Sequence, residues 1–154
     1  MTKGESPMKT GISDITGRMV RIRHANEYDG VFIEKILKAH DIFTDEIDYR
    51  KFVIATDNGL AVGCGQLKQI GENPETSCVI VAAENHYSDI EPLIVSHLIE
   101  FATSHTVYIF TNRVKEYEKI GFRKVRRKGR ELDQASAYAC RKSQKNATLM
   151  AYRK

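Results

Sequence analysis

The chain has no tryptophan, and only 3 of its 154 residues are cysteine and 3 are proline. Cys64, Cys78 and Cys140 are an odd number and show none of the C-x-x-C or H-x-x-x-H spacings that hold a tetrahedral metal. No disulfide framework and no metal are therefore expected; the thiols read as reduced, with Cys64 and Cys78 packed in strands. Nor does any apolar run approach the roughly 20 residues that cross a bilayer, so no membrane association is expected. Met1 to Asp14 holds Lys3, Gly4, Ser6, Pro7, Lys9 and Gly11 and lacks the apolar stretch of a secretory signal. Residues 1–17 read as a flexible leader, residues 18–154 as a single domain, and the protein as cytoplasmic.

What is present is the balance of a globular domain: 42% hydrophobic and 29% charged residues over a length that can bury an ordinary core. The net charge of +4 is unevenly spread, because Arg123, Lys124, Arg126, Arg127, Lys128 and Arg130 fall close together. Without interleaved aromatic residues as stacking platforms, this run reads as a solvated strand and loop in preference to a nucleic-acid contact.

Periodicity then divides the chain. Met19 to His24 alternates Val20 and Ile22 with Arg21 and Arg23, a half-buried strand. Val31, Phe32, Ile36 and Leu37 fit a helix capped by Asn26 or Asp29 and running to about His40. Asp41 to Lys51, with Asp41, Asp45, Glu46 and Asp48 around Ile42, Phe43, Ile47 and Tyr49, suggests a short second helix with an acidic face. Phe52 to Thr56 and Leu60 to Leu67 flank Asp57-Asn58-Gly59 as a hairpin, since Asn-Gly tolerates the positive φ of a tight turn. Gly63 and Gly65 leave one face of the second strand bare for close packing.

Thr76 to Ala83 is apolar on both faces and reads as the central strand, followed by a helix from Ile90 to Thr103 with Asp89 as its cap and Pro92 in its first turn. Val107 to Thr111 reads as a buried strand, Arg113 to Ile120 as a helix closed by Gly121, and Arg123 to Arg127 as a strand. A polar tail follows from Lys128 to Ala147, and Thr148 to Tyr152 restores a strand.

Along Met19 to Tyr152 this order resembles the GNAT superfamily of acyl-CoA-dependent N-acyltransferases. Tyr117-Glu118-Lys119-Ile120-Gly121-Phe122 is similar to the Y-E-K-x-G-F signature that ends the family's fourth helix. Thr111-Asn112 falls where the family's fifth strand ends and offers an Asn to the cofactor arm. The segment from Glu75 through Ser77, Val79, Val81, Ala83, Glu84, Asn85 and His86 is similar to its fourth strand and closing V-x-P-E-Y-R, with Ala83 in place of Pro and His86 in place of Arg or Gln. The resemblance implies an α/β (α+β) fold: a mixed, mostly antiparallel sheet of six to seven strands flanked by about four helices.

The resemblance also implies a site. Backbone groups of Val79, Ile80 and Val81 would meet the acyl and pantetheine arm. The turn His86, Tyr87, Ser88, Asp89, Ile90 and Glu91 would meet the cofactor's pyrophosphate, and Asn112 its arm. In the family that turn reads Q/R-x-x-G-x-G/A, and its bare amides open a helix toward the phosphates. Here both small positions carry carboxylates, Asp89 and Glu91. At ~5 Å and an effective dielectric of about 20, each carboxylate–phosphate pair costs about 3 kcal/mol. Asp89 folded back as a cap, Glu91 turned to solvent, or the basic run carrying the phosphates would relieve this.

Acyl transfer to an amine needs a neutral nucleophile, polarisation of the thioester and an acid for the leaving thiolate. Tyr117 holds the place of the family's thiolate-protonating tyrosine, or else packs as an ordinary helix aromatic. Glu75 holds the place of a glutamate that deprotonates the ammonium, or else is an exposed residue after a turn. His24, His40, His97 and His105 are scattered singly and read as ordinary surface or helix residues. The function implied is N-acetylation of a primary amine on a small molecule, amino acid or protein, with acetyl-CoA as co-substrate and no metal. The alternative is a non-catalytic binding or regulatory module of the same fold, with a homodimer as its assembly.

Overall fold

The computed structural model describes residues 18–42, 47–125 and 147–154, together with the backbone of 12–13. The expectations for the rest of the leader, for Phe43, Asp45 and Glu46, for the basic residues from Arg126 to Arg130, for the polar tail and for Cys140 lie outside those residues. The elements are β1 (Ile12–Ser13), β2 (Met19–His24), α1 (Gly30–Ala39), β3 (Val53–Asp57), β4 (Leu60–Ile70), β5 (Asn73–Ala83), α2 (Glu91–Glu100), β6 (Thr106–Thr111), α3 (Val114–Ile120), β7 (Arg123–Lys124) and β8 (Thr148–Arg153).

All eight strands form one sheet in the order β1-β2-β3-β4-β5-β6-β8-β7. Every neighbouring pair is antiparallel except β5 and β6. This is the mixed, mostly antiparallel α/β fold expected, with three α-helices among the described residues. Two residues of the leader belong to it, because β1 pairs with β2.

Local chemistry accounts for the boundaries. Asn26 accepts the Tyr28 N–H at 2.8 Å, and Asp29 accepts the Asn26 N–H at 2.7 Å; this reciprocal cap starts a 3-10 turn over Glu27–Asp29 that runs on into α1. The second helix expected from Asp41 to Lys51 is, in its described part, a single 3-10 turn over Tyr49–Lys51 capped by Asp48. The hairpin between β3 and β4 turns on Asn58 at φ 52° and Gly59 at φ 88°, the pair of positive values that a two-residue turn requires. α2 is shorter than the apolar periodicity suggested, and its N-cap is Ile90, with no side-chain bond from Asp89.

One face of the sheet carries α1, with Ile33, Ile36 and Leu37 packed on Ile54, Cys64, Ile80 and Ala82. The other face carries α2 and α3. Ile90 and Ile94 meet Val53, Ala55, Val62 and Ala83, while Val95, Ile99 and Tyr117 meet Val79, Val107 and Ile109. The bare face of β4 has its reason here: a Cβ on Gly65 would lie 2.7 Å from Ile94 Cγ2, and one on Gly63 would lie 3.1 Å from Ile94 Cδ1. The helix rests on strand backbone. Burial pushes the Cys64 thiol up to about 12, which leaves it an inert core residue.

Candidate functional site

The parallel seam between β5 and β6 is short. Thr76 pairs with Thr106, Ser77 with Val107 and Cys78 with Tyr108, and the register ends there although β5 runs on to Ala83 and β6 to Thr111. The two strands part as they approach the turn at Asn85–Ile90. Which peptide groups face the opening follows from alternation along an antiparallel strand. The Glu84 N–H donates to Val62 C=O at 2.9 Å, in register with the β4–β5 ladder, so Ala82, Ile80 and Cys78 direct their peptide groups toward β4. Val79 and Val81 direct theirs toward the gap. The His105 N–H donating to Glu75 C=O at 2.9 Å, on the β6 side, has the same parity. Of the three strand residues singled out in the sequence, Val79 and Val81 face the opening and Ile80 faces β4.

α3 places Tyr117 behind this gap. The ring is 1% exposed, sits in one cluster with Val79, Val95 and Ile109, and meets Phe122 edge to face at 5.7 Å. Its hydroxyl is buried with no hydrogen-bond partner among the described residues. Burial raises its pKa well above the phenol range; Glu91 and Glu116 add to this and Arg113 opposes it. The phenol therefore keeps its proton and can only donate it.

Glu91 opens α2 and is partly buried. Burial raises its carboxyl to about 7, with Arg113 pulling it down and Glu116 pushing it up. Arg113 itself donates to the Ser88 carbonyl and pairs with Glu116 at 3.0 Å, so it ties the 85–90 turn to the start of α3. From the opposite side Arg18 holds Asp89 with both guanidinium nitrogens at 3.2 Å and lies over the Tyr87 ring at 4.9 Å. The Tyr87 hydroxyl donates to Asp57 at 2.7 Å. The turn is thus strapped at both sides by arginines that the sequence reading did not single out. The contacts span 25 and 71 residues, and no local pattern marks them.

The remaining candidates sit apart. His86, Ser88 and Asn112 are exposed, His86 and Ser88 on the turn and Asn112 just before Arg113. Glu75 lies four residues from Val79, about 13 Å along the strand, at the end of β5 away from the turn. There it meets the His105 imidazole at 3.3 Å, with both side chains exposed. The structure does not bring it to Tyr117.

No protein-family model matches the sequence, and no curated protein matches it. Solved structures do match in shape. A Mycobacterium tuberculosis protein in complex with coenzyme A superposes with a TM-score of 0.67 at 16% identity, over 86% of this chain and 98% of that one. N-acetylglutamate synthase from Neisseria gonorrhoeae, complexed with coenzyme A and N-acetyl-glutamate, gives 0.65 at 19% over 87% of this chain. This chain spans only 35% of the synthase. A GCN5-related N-acetyltransferase from Kribbella flavida gives 0.58 at 12%, over 88% and 98% of the two chains. The chain has the GNAT fold.

Within the GNAT fold, the β5–β6 gap, the turn after β5 and the tyrosine of α3 lie together toward one end of the central strands. Among the described residues no helix is long and apolar enough to cross a membrane, and no three His, Cys, Asp or Glu side chains cluster as metal ligands.

Proposed function

We infer that the chain is an acyl-CoA-dependent N-acetyltransferase, acting on a primary amine of a small molecule, amino acid or protein. The observation that carries this reading is the Tyr117 hydroxyl, buried without a partner among the described residues, behind the opening where β5 and β6 part. A buried polar atom that the protein leaves unmet calls for a ligand. The gap also fits an amide-bearing arm such as pantetheine, since the peptide groups of Val79 and Val81 face it as donors and acceptors. Acetyl-CoA, bound there, would supply the activated thioester, and free coenzyme A would be the thiol released.

The residues divide the work. Val79 and Val81 would orient the arm and polarise the acyl carbonyl, as the amine adds to the carbonyl carbon and the carbon–sulfur bond breaks. Tyr117 holds a proton where the thiolate is released. The burial that raises the phenol would raise a thiolate in the same place, so the transfer stays within reach. Arg113 lies close enough to steady the charge left on the phenol. His86, Tyr87, Ser88, Asp89, Ile90 and Glu91 form the turn toward the phosphates, with Asn112 beside it; Arg18 offsets the charge of Asp89. Glu75 has no part at this gap, and the acceptor ammonium loses its proton by another path.

Glu91 favours a second reading, a binding module of the same fold that has lost the donor, because a partly buried carboxyl opens α2 where the resemblance expects a small residue, and it has no ion pair of its own among the described residues. Calorimetric titration with acetyl-CoA and with free coenzyme A separates the two. Micromolar binding followed by acetylation in a panel of amines supports the transferase. No binding at millimolar donor overturns it in favour of the module.

A further inference from the structure

Away from the 85–90 turn, a cavity of about 360 Å³ opens between the second half of α2 and the strands β2, β3 and β4. That volume lies at the lower end of small-molecule sites, about 300–1,000 Å³. Its floor is Ile22, Val53 and Leu67, and its helix side is His97, Leu98 and Phe101. Phe101 is 66% exposed and carries the apolar wall outward. The His97 ring leans on it at 5.1 Å, with Nδ1 shielded from water and without a hydrogen-bond partner among the described residues.

The mouth has one sign of charge. Arg23, His24, Arg50, Lys51 and Phe52 complete the lining, and no carboxylate of the described residues lines it. Arg23 is neutralised by Asp29 at 2.8 Å and Arg50 by Asp48 at 3.0 Å. Lys51 has no ion pair among the described residues, acts on Asp48 only at longer range, and lines the same mouth as His24. Glu100 acts on His97 from outside the lining.

We propose that this cavity is a second ligand site, separate from the β5–β6 gap, for a small amphipathic monocarboxylate. Its apolar body lies on Ile22, Val53, Leu67 and Leu98, and its carboxylate meets Lys51 and His24. One unpaired lysine at the mouth of an apolar chamber matches one negative charge on an apolar body. A cationic amphiphile meets only like charge there, and a neutral one leaves Lys51 unanswered. The cavity lies on the α2 face of β4, one strand away from the opening where Val79 and Val81 point, so both sites can be filled together. The site does not depend on acetyl transfer.

Calorimetric titration of the full chain with octanoate, octylamine and octan-1-ol tests this without any acyl donor. Octanoate is expected to saturate one site at least tenfold more tightly than either comparison compound. Lys51→Glu, a change at an exposed residue, is expected to weaken octanoate at least tenfold, and Phe101→Ala at least threefold, with circular dichroism unchanged in both. Octanoate that binds no better than octanol, or with an affinity untouched by both substitutions, overturns the assignment.

Discussion

Replacing Glu91 by Gln probes what it means to hold a carboxyl beside a buried phenol. Burial raises this group from 4.5 to about 7, with Arg113 opposing and Glu116 reinforcing. Between those values the folded protein keeps a proton that the unfolded chain has released. Stability therefore falls as pH rises through that window, and the full cost is present above it. At about 1.4 kcal/mol per pH unit the ceiling is about 3 kcal/mol, and the portion of the side chain left in water lowers it. Gln keeps the volume and removes the charge. Glu91→Gln should therefore melt higher than the parent at pH 8.5, by up to about 10 °C for a chain of this size. The difference should narrow below about 1 kcal/mol at pH 5. Scanning calorimetry at a series of pH values reads this directly. On the proposed reading, in which the turn faces the cofactor's phosphates, the same substitution would also remove a like charge worth about 3 kcal/mol at ~5 Å and an effective dielectric of about 20. Acetyl-CoA should bind about two decades more tightly at pH 8.5. A gain in melting temperature that is equal at all pH values, or a loss at pH 8.5, would refute the account of a buried, proton-retaining carboxyl.

Three further outcomes follow from the same geometry. Tyr117→Phe removes a hydroxyl with no partner, so melting should stay level or rise, while thiol release in an acetylation assay should slow by about 10²- to 10⁴-fold; a stability loss above about 2 kcal/mol would reveal a partner for that hydroxyl. Gly65→Ala drives a methyl to 2.7 Å from Ile94 and 3.2 Å from Leu98, and should cost about 1–3 kcal/mol in denaturant unfolding. Arg18→Ala should change stability by less than about 1 kcal/mol, because the pair with Asp89 is exposed, yet weaken acetyl-CoA about fivefold in a salt-dependent way by releasing the Asp89 charge.

Much of this architecture was legible because its signals are local. The alternation at Val20 and Ile22, the Asn58-Gly59 turn, the doubly apolar run ending at Ala83 and the stop at Gly121 each state an element in a few residues. Gly63 and Gly65 announced close packing, and Ile94 supplies the partner. The short acidic segment misled: amphipathic spacing around Ile47 and Tyr49 mimicked a helix, while Asp48 caps a single turn. Asp89 misled in a different way, since a residue suited to capping found an arginine 71 positions away. The candidate site was half legible. Tyr117 stood in a contiguous signature, but Arg18 and Arg113 act through contacts that only folding creates, and Glu75 stands near the start of β5, at the other end of the strand from the turn, where it meets His105.

The place of β8 between β6 and β7 has a consequence for how the domain assembles. β6 pairs with β8 through six residues, whereas β7 adds only two pairs at the far side. Until residues 148–153 dock, β6 presents an open edge and Met150 leaves a hole in the cluster around Tyr117. The part of the sheet made of local hairpins, β3 through β5, can close early. The strand that covers β6 and completes the cluster around Tyr117 is joined to the rest by a long connection, so its docking is expected to be the slow contact of folding, and conditions that delay it are expected to favour self-association through β6.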